Sequence, residues 1–583
     1  MSRSCVAWHP AIAALRRPTL LSLLALLAGC TTLFSYTNEP LRPPQAGTGS
    51  GFQSGEPIKG RATFAVDGQR GNERVLFFLA LSGGGSRAAY LAGATMLRLQ
   101  TVYDDVDLLR EVDVMSSVSG GSLPAAYYAI SRDQSLPLAG GLAALQAKTI
   151  PSDKLKIDAQ GATLSCSAPL DAGERERLGA ALASPKTADA ARVVELCEQA
   201  RLNDLRPWNS EVVRGAMSRN YVLRWVGNWF RPNNIALYWF TAYNRSDIMA
   251  QTFQNNLYDR GLLGLALTFQ DINPQRPYLI INSTNTTEQA IESGPLSDPY
   301  AFGSVFTFTE EDFRTRVNSP IATYSIARAV AASSAFPVVF PYMTLRDYRT
   351  ESLAECAHAT PAQAAQCERY VHMFDGGNSD NLGLKSVKRA LFELGVAGKL
   401  ADYDRIVVLL VDAFIKPRGT SRLMADPRSP FDRIVDSNVI AAVDSLLQEN
   451  RANRIAEFKG AVLRGGMDCE RDKQSLPPGL CAGIGKLPNA ELDLRQQLVF
   501  YHFGFDDVEA LDPELKQKLD RIPTSFQIDE QDVKNIDQAV ERVLTPDNAC
   551  LRQIRAIVHG EAAPAATSRA ICESIDLPRT RKM

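Results

Sequence analysis

Two successive strand–glycine turn–helix units between residues 75 and 128 constrain the fold more than any other feature. The first has an apolar strand over residues 75–81, then three consecutive glycines and a helical pattern. The second has a shorter strand over residues 111–115 that runs into Ser119, two glycines and another helix. In an α/β sheet both turns lie at the carboxyl edge of neighbouring parallel strands, where such folds place their sites. The pattern predicts an α/β fold with Ser119 as a nucleophile facing a glycine-rich anion cradle.

Composition sets broad limits on the class of protein. The chain of 583 residues is 45% hydrophobic and 22% charged, which is typical of a globular protein with a large core. Its formal net charge of −2 gives no basic excess, so a nucleic-acid partner is not indicated. The length fits either several domains or one large α/β domain with insertions.

The turn around Ser119 has the features that activate a serine. A serine hydroxyl is a weak nucleophile unless a base takes its proton and a donor group receives the oxyanion. The run S-V-S-G-G resembles the G-x-S-x-G nucleophile elbow, in which a strained strand-to-helix turn exposes the hydroxyl. Ser117 replaces the first glycine, which is a sterically mild change. The helix that follows directs its N-terminal dipole at Ser119 and favours negative charge there.

Asp375 is a better candidate for the base than any of the five histidines. Only His372 lies near a glycine-marked strand end, and three residues before Asp375 it should point to the opposite side of the strand. Asp375 follows a predicted strand over residues 370–374 and precedes two glycines that allow close approach. A carboxylate with the reference pKa of about 3.9 is a weak base, so we expect direct contact with Ser119 in a partly desolvated pocket.

The first 29 residues are predicted to be a signal peptide. Two arginines precede an apolar run over residues 20–28, which is shorter than the roughly 20 residues of a spanning helix. The run ends in L-A-G-C, which resembles a bacterial lipoprotein signal with its lipobox; an ordinary secretory signal with an incidental Cys30 is the alternative. The resemblance implies cleavage before Cys30, lipid on that residue and a lipid-anchored location in the bacterial cell envelope. Thr31 after the cysteine favours the outer membrane over the inner one.

The cysteine count predicts disulfide bonds. Of ten cysteines, Cys5 leaves with the signal and Cys30 is lipidated, so eight remain. An even number in an exported protein indicates disulfides, with free buried thiols as the alternative. The eight fall into neighbouring pairs, for which we predict the bonds 166–197, 356–367, 469–481 and 550–572.

The predicted organisation has four segments. They are the signal peptide (1–29), a lipidated tether rich in Pro, Gly and Ser (30–72), a catalytic domain (73–415) and a C-terminal extension packed on it (416–583). A large insertion over about residues 133–255 interrupts the catalytic domain. Its second half, residues 217–243, is rich in aromatic residues with arginines among them. Trp and Tyr favour membrane interfaces, so this stretch is either a lipid-facing lid or a cap that packs its rings onto the core.

Four motifs together resemble the patatin-like phospholipases. They are G-G-G-S-R at 83–87, S-V-S-G-G at 117–121, A-S-S-A-F-P at 332–337 and D-G-G-N-S-D-N at 375–381. They occur in that family's order, and the resemblance covers residues 73–414. The run I-P-T-S-F at 522–526 is similar to a tail of larger bacterial members.

The resemblance implies a three-layer α/β/α sandwich with a mainly parallel sheet, and a Ser–Asp dyad of Ser119 and Asp375. This dyad works without histidine, metal or cofactor. The implied reaction is the hydrolysis of membrane phospholipid or lysophospholipid through an acyl-serine intermediate. The implied supporting groups are the oxyanion-hole amides of Gly83, Gly84 and Gly85, with Arg87 beside them.

Two residues depart from the family pattern. Ala88 replaces the glycine that usually follows the basic residue, and Ser117 replaces the first glycine of the elbow. Alanine directly after the basic residue, as at Ala88, also occurs in the related cytosolic phospholipases. Neither departure removes a group of the implied dyad.

The glycine run also fits a dinucleotide-binding fingerprint. Gly83 and Gly85 follow a strand and open a helix, and Asp104 and Asp105 come about 20 residues later. In a dinucleotide-binding unit the acidic residue ends the second strand, whereas these aspartates precede it. The pattern therefore disfavours a nicotinamide cofactor.

A second alternative is a non-catalytic envelope lipoprotein that uses the same fold to bind lipid or protein. The joint presence of Ser119, Asp375, the glycine run and Arg87 argues against it, because a binding module has no need of all four. Covalent labelling by a fluorophosphonate separates the two, because only an activated serine reacts.

Overall fold

A computed structural model describes residues 38–41, 74–131, 155–157, 164–166, 208–258, 266–273, 276–287, 302–337, 339–349, 356, 368–396, 403–415, 451–459, 498–561 and 571–572. The predicted signal peptide, Cys30 and most of the predicted tether lie outside these residues. Over the stretches that are described, none of the helices has the length and apolar character needed to cross a bilayer.

One mixed sheet of nine strands organises the described residues. The strands of the chain are β1 (Val75–Leu81), β2 (Val114–Val118), β3 (Leu155–Ile157), β4 (Leu164–Cys166), β5 (Tyr278–Asn285), β6 (Val305–Phe308), β7 (Met343–Asp347), β8 (Arg369–Asp375), β9 (Arg405–Asp412), β10 (Leu498–Gly504) and β11 (Ile571–Cys572). The sheet order is β11-β10-β9-β1-β2-β5-β8-β7, with β6 also paired to β5, while β3 and β4 pair separately. From β11 to β5 neighbours run parallel, and β6 and β8 run antiparallel to β5. The predicted mainly parallel α/β sheet is confirmed.

Helices cover both faces of this sheet. They are α1 (Gly85–Thr101), α2 (Ser122–Ile130), α3 (Ser210–Met217), α4 (Tyr221–Trp229), α5 (Pro232–Phe240), α6 (Arg245–Phe253), α7 (Glu310–Val317), α8 (Ile326–Ser333), α9 (Gly377–Asp380), α10 (Leu384–Val396), α11 (Pro513–Leu519), α12 (Glu530–Val543) and α13 (Ala549–Val558). Alternate residues of β1 enter two separate cores: Phe77 and Leu79 pack with α1, α2, α8 and α12, whereas Leu76 and Phe78 pack with α10. Two cores on one sheet make the predicted three-layer sandwich.

The first of the two predicted units is closer to the structure than the second. Strand β1 has the predicted bounds, whereas β2 begins at Val114 and ends at Val118, three residues later than predicted. Asp113 explains part of the shift, because its carboxylate accepts a hydrogen bond from the Phe77 amide at 2.8 Å. The polar side chain thus occupies a backbone donor of β1 immediately before pairing with β2 begins.

The C-terminal part of the chain contributes to the same sheet. Strand β10 pairs with β9 over residues 498–504, and α12 packs on α1. The apolar face of α12 is buried at Ile536 and Val540. The boundaries predicted at residues 72 and 415 stay predictions.

Four of the eight cysteines lie in the described residues, namely Cys166, Cys356, Cys550 and Cys572. Cys356 and Cys550 are each disulfide-bonded. Cys197, Cys367 and the pair 469–481 lie outside the described residues. The four predicted pairings stay predictions.

Candidate active site

Strands β2 and β8 end head to head. Val118 of β2 pairs with Asn282 of β5, and Asp375 of β8 pairs with the next residue, Ser283. Asn282 and Ser283 also pair with β6. Because a strand residue has one neighbour on each side, β2 and β8 must share the side of β5 opposite β6. Their carboxyl ends therefore meet, which brings Ser119 and Asp375 together.

Ser119 occupies a strained turn. Its φ of 48° lies in the left-handed region, which non-glycine residues seldom adopt. A single 3₁₀ turn over residues 119–121 leads from β2 into α2. A side chain on Gly120 would overlap the carbonyl oxygen of Gly85, so the turn lies directly against the glycine run. Ser117, the departure from the elbow pattern, is buried and donates to the Ile280 carbonyl at 3.2 Å.

Asp375 contacts Ser119 directly. The Oγ of Ser119 donates to Oδ2 of Asp375 at 2.8 Å, and the Gly377 amide donates to Oδ1 at 2.8 Å. Asp375 is only 5% exposed. Burial raises the pKa of Asp375 to about 6, and the hydrogen bonds from Gly377 and Ser119 oppose this shift. A carboxylate with a raised pKa is a stronger base that is still mostly ionised at neutral pH.

Residues of the A-S-S-A-F-P motif hold both groups in place. The Ser333 hydroxyl accepts a hydrogen bond from the Ser119 amide at 2.8 Å and donates one to the Asn282 carbonyl at 2.5 Å. The backbone carbonyls of Ser333 and Ala335 accept the amides of Gly376 at 3.0 Å and Asp375 at 3.1 Å. The motif thus connects the strained turn to the end of β8. The sequence of this motif gives no sign of its role, because its contacts are with residues 40 or more positions away.

The three glycines are not equivalent. The Gly83 amide donates to the Asn381 carbonyl at 2.9 Å, so this donor is already occupied. The amides of Gly84 and Gly85 have no acceptor among the described residues, and Gly85 opens α1. Positive φ values of 137° at Gly84 and 62° at Gly85 turn this backbone into the helix. Of the three predicted donors, only the amides of Gly84 and Gly85 are available to a ligand in this structure, and the oxyanion hole itself stays a prediction.

Arg87 joins the glycine run to two other segments. This arginine is buried, and it donates from Nε to the Ala413 carbonyl at 2.9 Å and from Nη1 to the Ile522 carbonyl at 2.7 Å. The Ser86 amide donates to the Ser525 carbonyl at 2.7 Å. The I-P-T-S-F run therefore lies against the glycine run. These contacts place the Arg87 guanidinium between the glycine run and two other segments, and its predicted supporting role stays a prediction.

No described histidine contacts the dyad. His372 bonds through Nδ1 to the Thr344 hydroxyl at 2.9 Å and packs on Tyr342 with the ring centroids 4.2 Å apart. His502 bonds to Asp412 at 2.9 Å. His559 lies 3.2 Å from Asp105, which also pairs with Arg555. These contacts account for Asp105 in a way that does not involve a dinucleotide ribose.

A cavity of about 510 Å³ opens over Ser119 and Asp375. Its polar floor includes the glycine run, Arg87 and Asn381. Its apolar lining consists of Val222, Trp225, Met249, Phe336, Val339, Phe340, Phe414, Ile415, Ile522, Pro523 and Phe526. The volume falls within the roughly 300–1,000 Å³ of small-molecule sites. A mostly apolar cavity with a nucleophile at one end suits a hydrocarbon chain that carries an ester.

The chain is similar to known proteins both in sequence and in fold. The family model described as patatin-like phospholipase matches residues 79–388. No curated protein matches the sequence significantly. Human GIVD cytosolic phospholipase A2 is similar at 12% identity and a TM-score of 0.37, covering 83% of this chain and 60% of its own. VipD from Legionella pneumophila is similar at 13% identity and a TM-score of 0.25, covering 81% of this chain and 66% of its own. This chain thus spans less than two thirds of either structure.

Proposed function

The chain belongs to the patatin-like phospholipase family, and on that premise we propose that it is a serine lipid acyl hydrolase with Ser119 as nucleophile and Asp375 as base. The family makes it a lipid ester hydrolase. The observation that carries the finer proposal is the 2.8 Å hydrogen bond from the Ser119 hydroxyl to the Asp375 carboxylate.

Acylation begins with proton transfer from Ser119 to Asp375. The Oγ attacks the ester carbonyl carbon, and the carbonyl oxygen becomes an oxyanion that the amides of Gly84 and Gly85 receive. The N-terminal dipole of α1 adds favourable potential there. The tetrahedral intermediate then collapses, the ester C–O bond breaks, and Asp375 returns the proton to the departing alcohol. The acyl chain stays on Ser119 in the apolar cavity.

Deacylation repeats these steps with water. Asp375 takes a proton from the water as it attacks the acyl carbonyl, the same two amides receive the oxyanion, and the proton returns to Ser119 as the fatty acid leaves. No imidazole is required, because Asp375 touches the hydroxyl directly and its pKa is about 6.

The proposed substrate is the acyl ester of a membrane phospholipid or lysophospholipid. The mostly apolar lining supports an acyl chain, and the L-A-G-C run supports a lipid anchor at Cys30 that keeps the enzyme at a membrane. On this proposal the mature protein acts at the bacterial outer membrane.

A fluorophosphonate probe tests the chemistry. The phosphorus should bond to the Ser119 Oγ with loss of fluoride, and both Ser119→Ala and Asp375→Asn should abolish labelling. Ser525 is a matched control, because it also lines the cavity but its hydroxyl bonds to the Gln527 carbonyl at 2.5 Å. Ser525→Ala should label like the native chain. Absence of labelling together with absence of ester hydrolysis would favour the non-catalytic alternative.

A further inference from the structure

Helices α4 and α5 expose an unusual amount of apolar surface. Of the nine large hydrophobic residues that are exposed in the described chain, six lie on this helical pair. They are Val222 (36% exposed), Leu223 (69%), Phe230 (72%), Ile235 (38%), Trp239 (71%) and Phe240 (54%), here called the hairpin face. A concentration of exposed apolar side chains on one short segment indicates an interaction site.

The polarity of this pair is inverted. Asn228 and Asn234 are buried, whereas the six large apolar side chains of the hairpin face are exposed. Asn228 donates to the Thr252 hydroxyl at 2.8 Å, and Asn234 donates to the Asn228 carbonyl at 2.8 Å. Trp225 donates from Nε1 to the Arg245 carbonyl at 3.1 Å. Hydrogen bonds to α6 thus fix which side of the helical pair faces the protein. The exposed orientation of the hairpin face follows from these contacts.

The charge of this segment suits an anionic partner. Residues 212–246 contain five arginines and no aspartate or glutamate. Arg224 and Arg231 are exposed and form no ion pair with a carboxylate in the described part of the chain. Arginines beside exposed Trp and Phe match the headgroup zone of a bilayer, where phosphates lie next to hydrocarbon.

A row of aromatic rings connects the hairpin face with the cavity. Successive ring centroids are 5.1–5.8 Å apart along Phe526, Phe340, Trp225, Trp229, Tyr238 and Trp239. The first three line the cavity and the last belongs to the hairpin face. Val222 belongs to both. The cavity and the exposed surface are therefore continuous.

We propose that the hairpin face inserts into the interface of an anionic phospholipid bilayer and brings the cavity to the membrane surface. This proposal rests on the proposed function for its purpose, because a lipid hydrolase must take its substrate from a bilayer. Membrane binding by the hairpin face can nevertheless be measured without catalysis. The interpretation of this stretch as a cap accounts for Tyr221 and Tyr243, which pack inward. The lipid-facing interpretation stays a prediction, and the hairpin face is the part of the stretch to which it applies.

The test uses the full chain with Cys30→Ser, so that a lipid at that residue cannot mask the effect. Binding is measured by flotation with vesicles of phosphatidylcholine alone or mixed with phosphatidylglycerol, together with tryptophan emission, to which Trp239 should contribute a blue shift. The native surface should bind mixed vesicles more tightly than phosphatidylcholine. Leu223→Ser/Phe230→Ser/Trp239→Ser should weaken binding by about tenfold or more. The double variant Arg224→Gln/Arg231→Gln should lose the preference for vesicles that contain the anionic lipid. The difference in affinity between this variant and the native surface should be smaller at high salt, which screens the arginine charges.

Phe302→Ser is the matched control, because Phe302 is 63% exposed and lies outside the hairpin face. It should bind vesicles like the native surface. The triple, double and Phe302→Ser variants should hydrolyse a soluble short-chain ester at the native rate, which verifies folding. Ser119→Ala should bind vesicles normally, because binding does not need catalysis. A native protein that binds vesicles but hydrolyses no ester would overturn the proposed function and leave the docking surface standing.

Two results would overturn the docking surface. One is a triple variant that binds vesicles as well as the native surface. The other is a native protein that binds no vesicles but sediments as a dimer, with the triple variant monomeric, which would assign the hairpin face to a second copy of the chain.

Discussion

Ser119 and Asp375 are 256 positions apart, and their side chains meet at 2.8 Å because their strands approach each other along the same side of β5. If β8 ran parallel to β5, its carboxyl end would point in the same direction as that of β2, and Asp375 would not face Ser119. The antiparallel arrangement instead places it opposite Ser283, one residue beyond the partner of Val118. The proposed chemistry depends on this junction.

Asp375→Asn separates catalysis from stability. Asparagine keeps the size of the side chain but cannot accept a proton, so kcat on a soluble ester should fall by about 10³-fold or more. The folded-state pKa of Asp375 is raised from 3.8 to about 6, so folding disfavours its charged form. The resulting penalty is absent below the unfolded pKa and complete above the folded one. Asp375→Asn should therefore stabilise the fold at neutral pH by up to about 3 kcal/mol.

Urea denaturation at neutral pH and near about pH 4 measures this difference. The gain in unfolding free energy should shrink towards the lower pH, because the folded state holds the proton there and the unfolded state is partly protonated. A loss of stability at neutral pH in Asp375→Asn would contradict the prediction that the buried, ionised carboxylate of Asp375 destabilises the fold.

The rate should follow the ionisation of Asp375. Only the carboxylate can take the Ser119 proton, so kcat/KM should rise with pH and reach half its plateau near pH 6, the pKa of Asp375. Rates on a soluble ester between about pH 4 and 9 give the profile. His372→Ala is the control, because this residue bonds to Thr344 rather than to the dyad. If the transition near pH 6 disappeared in His372→Ala, the titrating base would be His372 and not Asp375.

Ser333→Ala should impair the turn that presents the nucleophile. It removes the acceptor of the Ser119 amide, which should lower kcat by about 10- to 100-fold with little change in KM, and stability by about 1–2 kcal/mol. Ser334→Ala is a matched control, because the neighbouring hydroxyl is buried without a hydrogen-bond partner among the described residues. The rate of fluorophosphonate labelling reports on the turn itself. Equal labelling rates in the two variants would show that Ser333 only supports the fold.

The sequence predicts local features of the site well, and long-range ones poorly. Strand β1, the Ser119 turn and the Asp375 corner each carry their own signal, because apolar runs and glycines reflect local backbone requirements. The head-to-head ends of β2 and β8 carry none, because strand periodicity does not encode the partner or its direction. The occupied amide of Gly83 is likewise invisible, because its acceptor is the backbone of Asn381.

Arg87→Lys should weaken the oxyanion site without dismantling the fold. The guanidinium reaches two carbonyls at once, of Ala413 and Ile522, whereas an ammonium lacks the planar fork that spans them. We expect kcat to fall by about tenfold, because the amides of Gly84 and Gly85 lose the support that aims them. Arg98→Lys is the matched control: Arg98 also lies on α1 and donates from Nε to a C-terminal carbonyl, that of Leu544, at 2.8 Å. Both variants should lose similar stability by thermal denaturation. If Arg98→Lys lowered kcat as much as Arg87→Lys does, the loss would reflect general loosening of α1, and Arg87 would have no particular part in aiming the two amides.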